Sequence, residues 1–209
     1  RVLKNRRRFL GLWGCDAEQL VCCEQVHGNK VIVVGPEHAG CGSLSLATAI
    51  KDCDALVTSS PGLVLATFYA DCISLYFFDP GQKIIGLAHS GWKGTMQKIA
   101  CACLEVMKEK CNTRIQDVEV FIGPGIGPCC FKISKELSGQ VHQALAGFDR
   151  IIYEHEDCYT WDLRRTNRLI LEQNGVKPDK IYDCQLCTSC HPGDFYSYRR
   201  DQGKTGRMG

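Results

Sequence analysis

The sequence predicts an α+β fold: one compact domain over residues 1–209, with mixed sheet and packed helices. Three observations predict it. At about 100–200 residues per domain the 209-residue length suits a single unit, and no linker, low-complexity tract or repeat period divides it. Hydrophobic residues at 44% and charged residues at 23% match ordinary globular usage, which excludes disorder and fibrous repeats. Finally, two strand-like runs follow one another before the first clear helix, where a doubly wound sheet would alternate strand and helix.

The elements follow from local pattern. Residues 30–34 form a short β-branched strand. Residues 63–69 and 73–78 are strand-like runs around the pair Asp71-Cys72, and residues 83–88 read as a buried strand. A helix is predicted over 94–110, where Met96, Ile99, Ala100, Cys103, Leu104, Val106 and Met107 recur at helical spacing. The strand at 118–122 is stopped by the Gly-Pro alternation of 123–128, which neither helix nor strand tolerates. Helices are expected at 134–146 and 162–173, the second ended by Asn174-Gly175 and Pro178. Residues 180–186 form the last apolar segment.

Lys and Arg number 25 against 23 Asp and Glu, and the resulting net charge of +2 provides no global field for nucleic acid or an anionic membrane. The longest apolar stretches, such as 62–70, reach about half of the roughly 20 residues a membrane helix needs. Residues 1–10 are basic but lead into no apolar run, so a signal peptide is not expected. The chain starts at Arg1, and a segment upstream is expected to be missing. The fifteen cysteines lie within apolar patterns and are odd in number, which points to free thiols in a reducing, cytoplasmic setting.

Six histidines, at positions 27, 38, 89, 142, 155 and 191, narrow the search for chemistry. His27 sits in Gln25-Val26-His27-Gly28-Asn29, where the glycine permits close approach; a lone loop histidine is otherwise a solvated residue. His89 ends the 83–88 strand where it meets Ser90-Gly91-Trp92-Lys93-Gly94 and a helix N-terminus. Cys72 interrupts two apolar runs, and alone would be an inert buried thiol. Two imidazoles and a thiolate, each at a strand boundary, can together hold zinc through three ligands and leave a fourth position open. Asp71 beside them is either a proton shuttle or the group that orients a ligand histidine.

Five blocks then carry a resemblance. Gln25-Val26-His27-Gly28, Ala70-Asp71-Cys72, Ala88-His89-Ser90-Gly91-Trp92-Lys93-Gly94, Gly123-Pro124 through Gly127-Pro128, and Tyr198-Arg199-Arg200-Asp201 through Thr205-Gly206-Arg207-Met208 resemble, in order, the multicopper polyphenol oxidoreductase or laccase-domain family. The resemblance implies a compact α+β fold and one metal site made by His27, Cys72 and His89. It also implies zinc-dependent phosphorolysis of adenosine, inosine and methylthioadenosine, with adenosine deamination alongside. The same family carries two other labels, copper-dependent phenol oxidation and editing of peptidoglycan precursors, the latter with Cys72 as nucleophile and His89 as base. Two departures stand out. Ile73-Ser74 replaces the family's Leu-Pro after Asp-Cys, and the Ser-Leu-Asn-type segment before Asn5-Arg6 is absent.

The labels make different physical demands. A laccase needs several coppers bound largely through His-x-His pairs; this chain has no such pair, and its methionines, Met96, Met107 and Met208, do not closely follow Cys72. Zinc suits attack at a purine carbon better, with copper the other possible metal. The zinc-deaminase signature is incomplete, since Pro128-Cys129-Cys130 lacks the second spaced cysteine. Phosphorolysis requires cations, for which Arg6, Lys93, Arg199 and Arg200 are candidates, with Arg6, Lys93 and Arg200 taken as substrate-binding. Residues 123–127 read as a turn before an anion nest. Cys184-x-x-Cys187-x-x-Cys190-His191 contains a haem-attachment pattern and part of a ferredoxin run, and can also be read as a second structural zinc site or as ordinary thiols.

Overall fold

The computed structural model describes residues 2–209. In chain order its first half holds α1 (Val2–Gly11), β1 (Leu20–Cys22), β2 (Val31–Val33), β3 (Ala55–Thr58), β4 (Val64–Ala66), β5 (Ile73–Asp79), β6 (Ile84–Ser90) and α2 (Trp92–Met96). The second half holds α3 (Ile99–Cys111), β7 (Glu119–Ile122), β8 (Lys132–Ile133), α4 (Lys135–Ala144), β9 (Ile152–Glu154), β10 (Tyr159–Trp161), α5 (Leu163–Gln173) and β11 (Ile181–Asp183).

A six-stranded sheet in the order β11-β7-β5-β6-β3-β2 organises the single α+β domain. Its central pairs are antiparallel and its two outer pairs, β11 with β7 and β2 with β3, are parallel. Period-2 alternation in β5 sends Ile73, Leu75 and Phe77 into the core and Tyr76 and Phe78 outward. The inner face is covered by α3, whose buried Ile99, Ala100, Cys103, Leu104 and Met107 form one stripe, and by α5 packed beside it. On the outer face Tyr76, Phe78, Ile85, Phe121 and Tyr182 remain exposed. Asp162 caps α5 by accepting the Arg165 amide at 2.9 Å, and Ser134 caps α4 through the Leu137 amide at 3.2 Å.

Several expectations need correction. The helix predicted over 94–110 is two helices, because Lys98 takes a left-handed φ of 56° between α2 and α3. The predicted strand at 63–69 shrinks to β4, which pairs with β1 outside the main sheet. Beyond Ala66 the strand ladder gives way to a side chain: the Gln25 amide accepts from the Phe68 N–H at 2.7 Å and donates to its carbonyl at 2.8 Å. The segment 180–186 is strand only over β11. Neither α1 nor the three-stranded sheet of β8, β10 and β9 was expected. Among the described residues no helix is long and apolar enough to cross a membrane.

Candidate metal centre

Three sequence-distant segments meet at one end of the main sheet. The register of β5 and β6 pairs Ile73 with Ser90 and Ser74 with His89, so Cys72, one residue before β5, lies beside the end of β6. His27 comes from the loop between β1 and β2, at a left-handed φ of 63°. The ligand atoms of His27, Cys72 and His89 all lie within 4.8 Å of one another, and the two imidazoles meet edge to face. Gly91 makes this approach possible, since a Cβ there would stand 3.0 Å from Cys72 Sγ and 3.2 Å from His27 Cδ2.

The group that holds the arrangement is Asp54, which the sequence reading missed. Its fully buried carboxylate accepts the amides of Val26, His27 and Gly28 at 3.1, 2.9 and 2.7 Å, and Nδ1 of His89 at 2.8 Å. Burial raises its pKa, but these hydrogen bonds outweigh it and hold the carboxyl below its ordinary range. An ionised Asp54 can only accept, so His89 carries a proton on Nδ1 and turns Nε2 toward Cys72 and His27. The signal was a carboxylate opening the apolar run Ala55-Leu56-Val57.

Asp71 does not orient a histidine. Its oxygens accept Thr188 Oγ1 and the Arg199 amide, each at 2.7 Å, and so tie the β5 entrance to the C-terminal segment. Cys72 and His89 perturb each other. Burial pushes the Cys72 thiol up, but hydrogen bonds from His27 and His89 bring it down to about 7. Burial pushes His89 down, but Asp54 and Cys72 raise it to about 9. Without a metal these opposite shifts favour a thiolate–imidazolium pair in the window between about 7 and 9.

A cavity of about 610 Å³ opens over the centre. His27, Cys72, His89 and Asp71 line it together with apolar Phe68, Trp92, Ile126 and Phe131 and the cations Arg199 and Arg207. The substrate-binding candidates Arg6, Lys93 and Arg200 are not in this wall. Arg6 donates to the carbonyls of Gly42 and Ser43 at 2.9 and 2.6 Å and stacks on the ring of Phe68, itself a wall residue. Lys93 rests over the Trp92 ring. Arg200 is consumed by Asp201 and by the carbonyls of Thr188 and Phe195, because the 197–203 turn points consecutive side chains apart.

The family model described as multi-copper polyphenol oxidoreductase laccase matches residues 1–209. The chain belongs to this laccase family. One relative, from Geobacillus stearothermophilus and named purine nucleoside phosphorylase YlmD, is 37% identical over 99% of this chain and 76% of its own length. Its namesake from Bacillus subtilis is 35% identical over 99% of this chain and 75% of its own length. The crystal structure of YlmD from Geobacillus stearothermophilus superposes with a TM-score of 0.93 at 37% identity, covering 99% of this chain and 77% of that one.

The laccase family is metal-associated, and the donor set here fits a metal: one soft thiolate and two imidazoles, one of them oriented by a buried carboxylate. Among the described residues no further histidine joins a group of metal donors. The other four histidines are dispersed, with ring nitrogens hydrogen-bonded to the Gly35 amide, the Ser138 carbonyl, Thr160 Oγ1 and the Cys187 carbonyl.

Proposed function

We propose that this chain is a purine nucleoside phosphorylase centred on His27, Cys72 and His89, with zinc as its metal and adenosine, inosine and methylthioadenosine as substrates. The observation that carries the reading is the Cys-His-His centre at the base of a cavity with apolar walls and two arginines. Its volume of about 610 Å³ falls within the range of about 300–1,000 Å³ usual for small-molecule sites. The names of the relatives agree with it.

In this reading Phe68, Trp92 and Phe131 give the purine flat apolar surfaces, and Arg199 and Arg207 give phosphate its charge-assisted donors. An oxygen of hydrogen phosphate attacks C1′ of the ribose as the glycosidic C–N bond breaks, and the proton that the phosphate gives up is taken by the leaving purine, so that ribose 1-phosphate and free base result. Zinc bound by His27, Cys72 and His89 would supply Lewis-acid polarisation of an oxygen. Asp54 fixes the His89 tautomer and the His27 loop, while Asp71 positions the Arg199 backbone. Adenosine deamination would use the same cavity, with water rather than phosphate as nucleophile, attacking C6 of the purine instead of C1′ and releasing the 6-amino group as ammonia. We place the enzyme in the cytoplasm, where so many thiols stay reduced.

One observation favours a second reading. Cys72 Sγ and a His89 ring nitrogen stand within 4.8 Å of each other, with the thiol drawn down to about 7 and the imidazole raised to about 9, the pairing a cysteine hydrolase needs. Copper-dependent phenol oxidation is not favoured, because the remaining histidines lie outside any group of three metal donors among the described residues.

The deciding experiment measures metal content and incubates adenosine with and without phosphate. Phosphate-dependent adenine release that is lost on chelation and restored by zinc is expected. Phosphate-independent turnover that survives chelation but not alkylation of Cys72 would replace phosphorolysis with thiol hydrolysis.

A further inference from the structure

A second group of metal donors lies outside the centre just described. The thiols of Cys129, Cys130, Cys187 and Cys190 all lie within 4.8 Å of one another, although 57 or more positions separate the two pairs in sequence (187 minus 130 is 57). Cys184, the first cysteine of the sequence run, is not among them, and His191 turns Nδ1 to the Cys187 carbonyl at 2.8 Å. The fold thus dissolves the haem-attachment and ferredoxin patterns and assembles a different set: a Cys-Cys turn after β7 facing a Cys-x-x-Cys loop after β11.

We infer that Cys129, Cys130, Cys187 and Cys190 bind a structural zinc ion as four thiolates. A tetrahedral site with Zn–S bonds of about 2.3 Å separates its sulfurs by about 3.8 Å. Cys190 Sγ stands 3.6 Å from Cys129 Sγ and 3.4 Å from Cys130 Sγ, close to that edge and far beyond the roughly 2.0 Å of a disulfide. The surroundings match the anionic character of such a site, since four thiolates around a divalent ion leave two net negative charges. The Gly127 amide donates to Cys187 Sγ at 3.2 Å. Arg164 brings Nη2 to 3.4 Å from where a Gly127 Cβ would stand, a point 3.3 Å from both Cys129 Sγ and Cys187 Cβ. Arg164 Nη1 is buried without a hydrogen-bond partner, a cost that a neighbouring thiolate cluster offsets.

The position explains the need. Residues 123–131 and 184–201 have no regular strand pairing beyond the bridge of Gly125 with Cys187. Yet the first supplies Ile126 and Phe131 to the cavity, and the second supplies Thr188 to Asp71 and Arg199 to the wall. A metal cross-link would fix these two loops where the sheet no longer can.

The test reads zinc directly, in protein purified under reducing conditions. Wild type should hold two equivalents and Cys72→Ala one, the latter isolating the second site whatever the first one does. Cobalt in Cys72→Ala should give the intense sulfur-to-cobalt charge-transfer and d–d bands of a tetrahedral tetrathiolate. Cys190→Ser should lower wild type to one equivalent, while Cys184→Ser keeps two. A single equivalent in wild type with none in Cys72→Ala would overturn the proposal, and so would an intact mass showing Cys190 in a disulfide. Visible colour with bound iron in place of zinc would overturn the assignment of the metal.

Discussion

Asp54 shows what one residue contributes. It joins the His27 loop, the end of β6 and the start of β3 through a single carboxylate, and its removal would strand three backbone amides and the His89 ring. Asp54→Asn keeps the shape but loses the charge and half of the acceptor capacity. Zinc affinity should fall by about 10–100-fold, as measured by chelator competition. The pair above it titrates in a defined window. The raised His89 contributes stability that is complete below its ordinary 6.5 and is lost as pH rises through about 9. The depressed Cys72 contributes stability that is complete above its ordinary 9.0 and is lost as pH falls through about 7. The metal-free protein therefore holds both charges between about 7 and 9. Alkylation of Cys72 should follow an apparent pKa near 7, and a midpoint near 9 would mean no pair forms. Cys72 and the two histidines were visible in sequence because their types are rare and their boundaries sharp. Asp54 was not, because the local pattern does not show that its partners lie 26 to 35 positions away.

Elements were legible where one period dominates. The run at 73–78 became β5, with Tyr76 and Phe78 facing out in alternation with buried Leu75 and Phe77, and the run at 83–88, apolar from Ile84 on, became β6, buried on both faces over most of its length. The run at 63–69 had the same composition, but Gln25 from a distant loop takes both Phe68 backbone groups and ends the strand. The helix at 94–110 kept its stripe, yet it breaks at Lys98, whose left-handed φ of 56° no helical spacing announces. That break lets the short α2 stand apart over the centre, with Gly94 close to the Gly28 carbonyl. Left-handed backbone costs a non-glycine residue about 1–2 kcal/mol, and β-branching makes it worse. Lys98→Val should lower unfolding stability by about that amount in chemical denaturation, whereas Lys98→Gly should match or exceed wild type.

At the scale of the molecule, the sheet order collects His27, Cys72 and His89 from both sides of β3, β5 and β6, and the C-terminal segment closes over them. Composition and net charge predicted a single domain with no global field, and the cations that matter are set by which way one turn faces. Arg199 and Arg200 are adjacent and were equal candidates in sequence. The 197–203 turn sends Arg199 to the cavity, stacked on Phe131 with Nη1 on the Lys132 carbonyl, and turns Arg200 to Asp201 and to the carbonyls of Thr188 and Phe195 in the preceding segment. The two substitutions should therefore separate. Arg199→Ala should raise the KM for phosphate about tenfold, the equivalent of one charge-assisted hydrogen bond of about 1.4 kcal/mol, with little change in Tm. Arg200→Ala should lower Tm instead, because it releases Asp201 and the Thr188 and Phe195 carbonyls, and should leave the phosphate KM of the folded enzyme near wild type. Kinetics at varied phosphate together with thermal denaturation would distinguish them, and the reverse pattern would move the phosphate site from the cavity wall to the C-terminal loop.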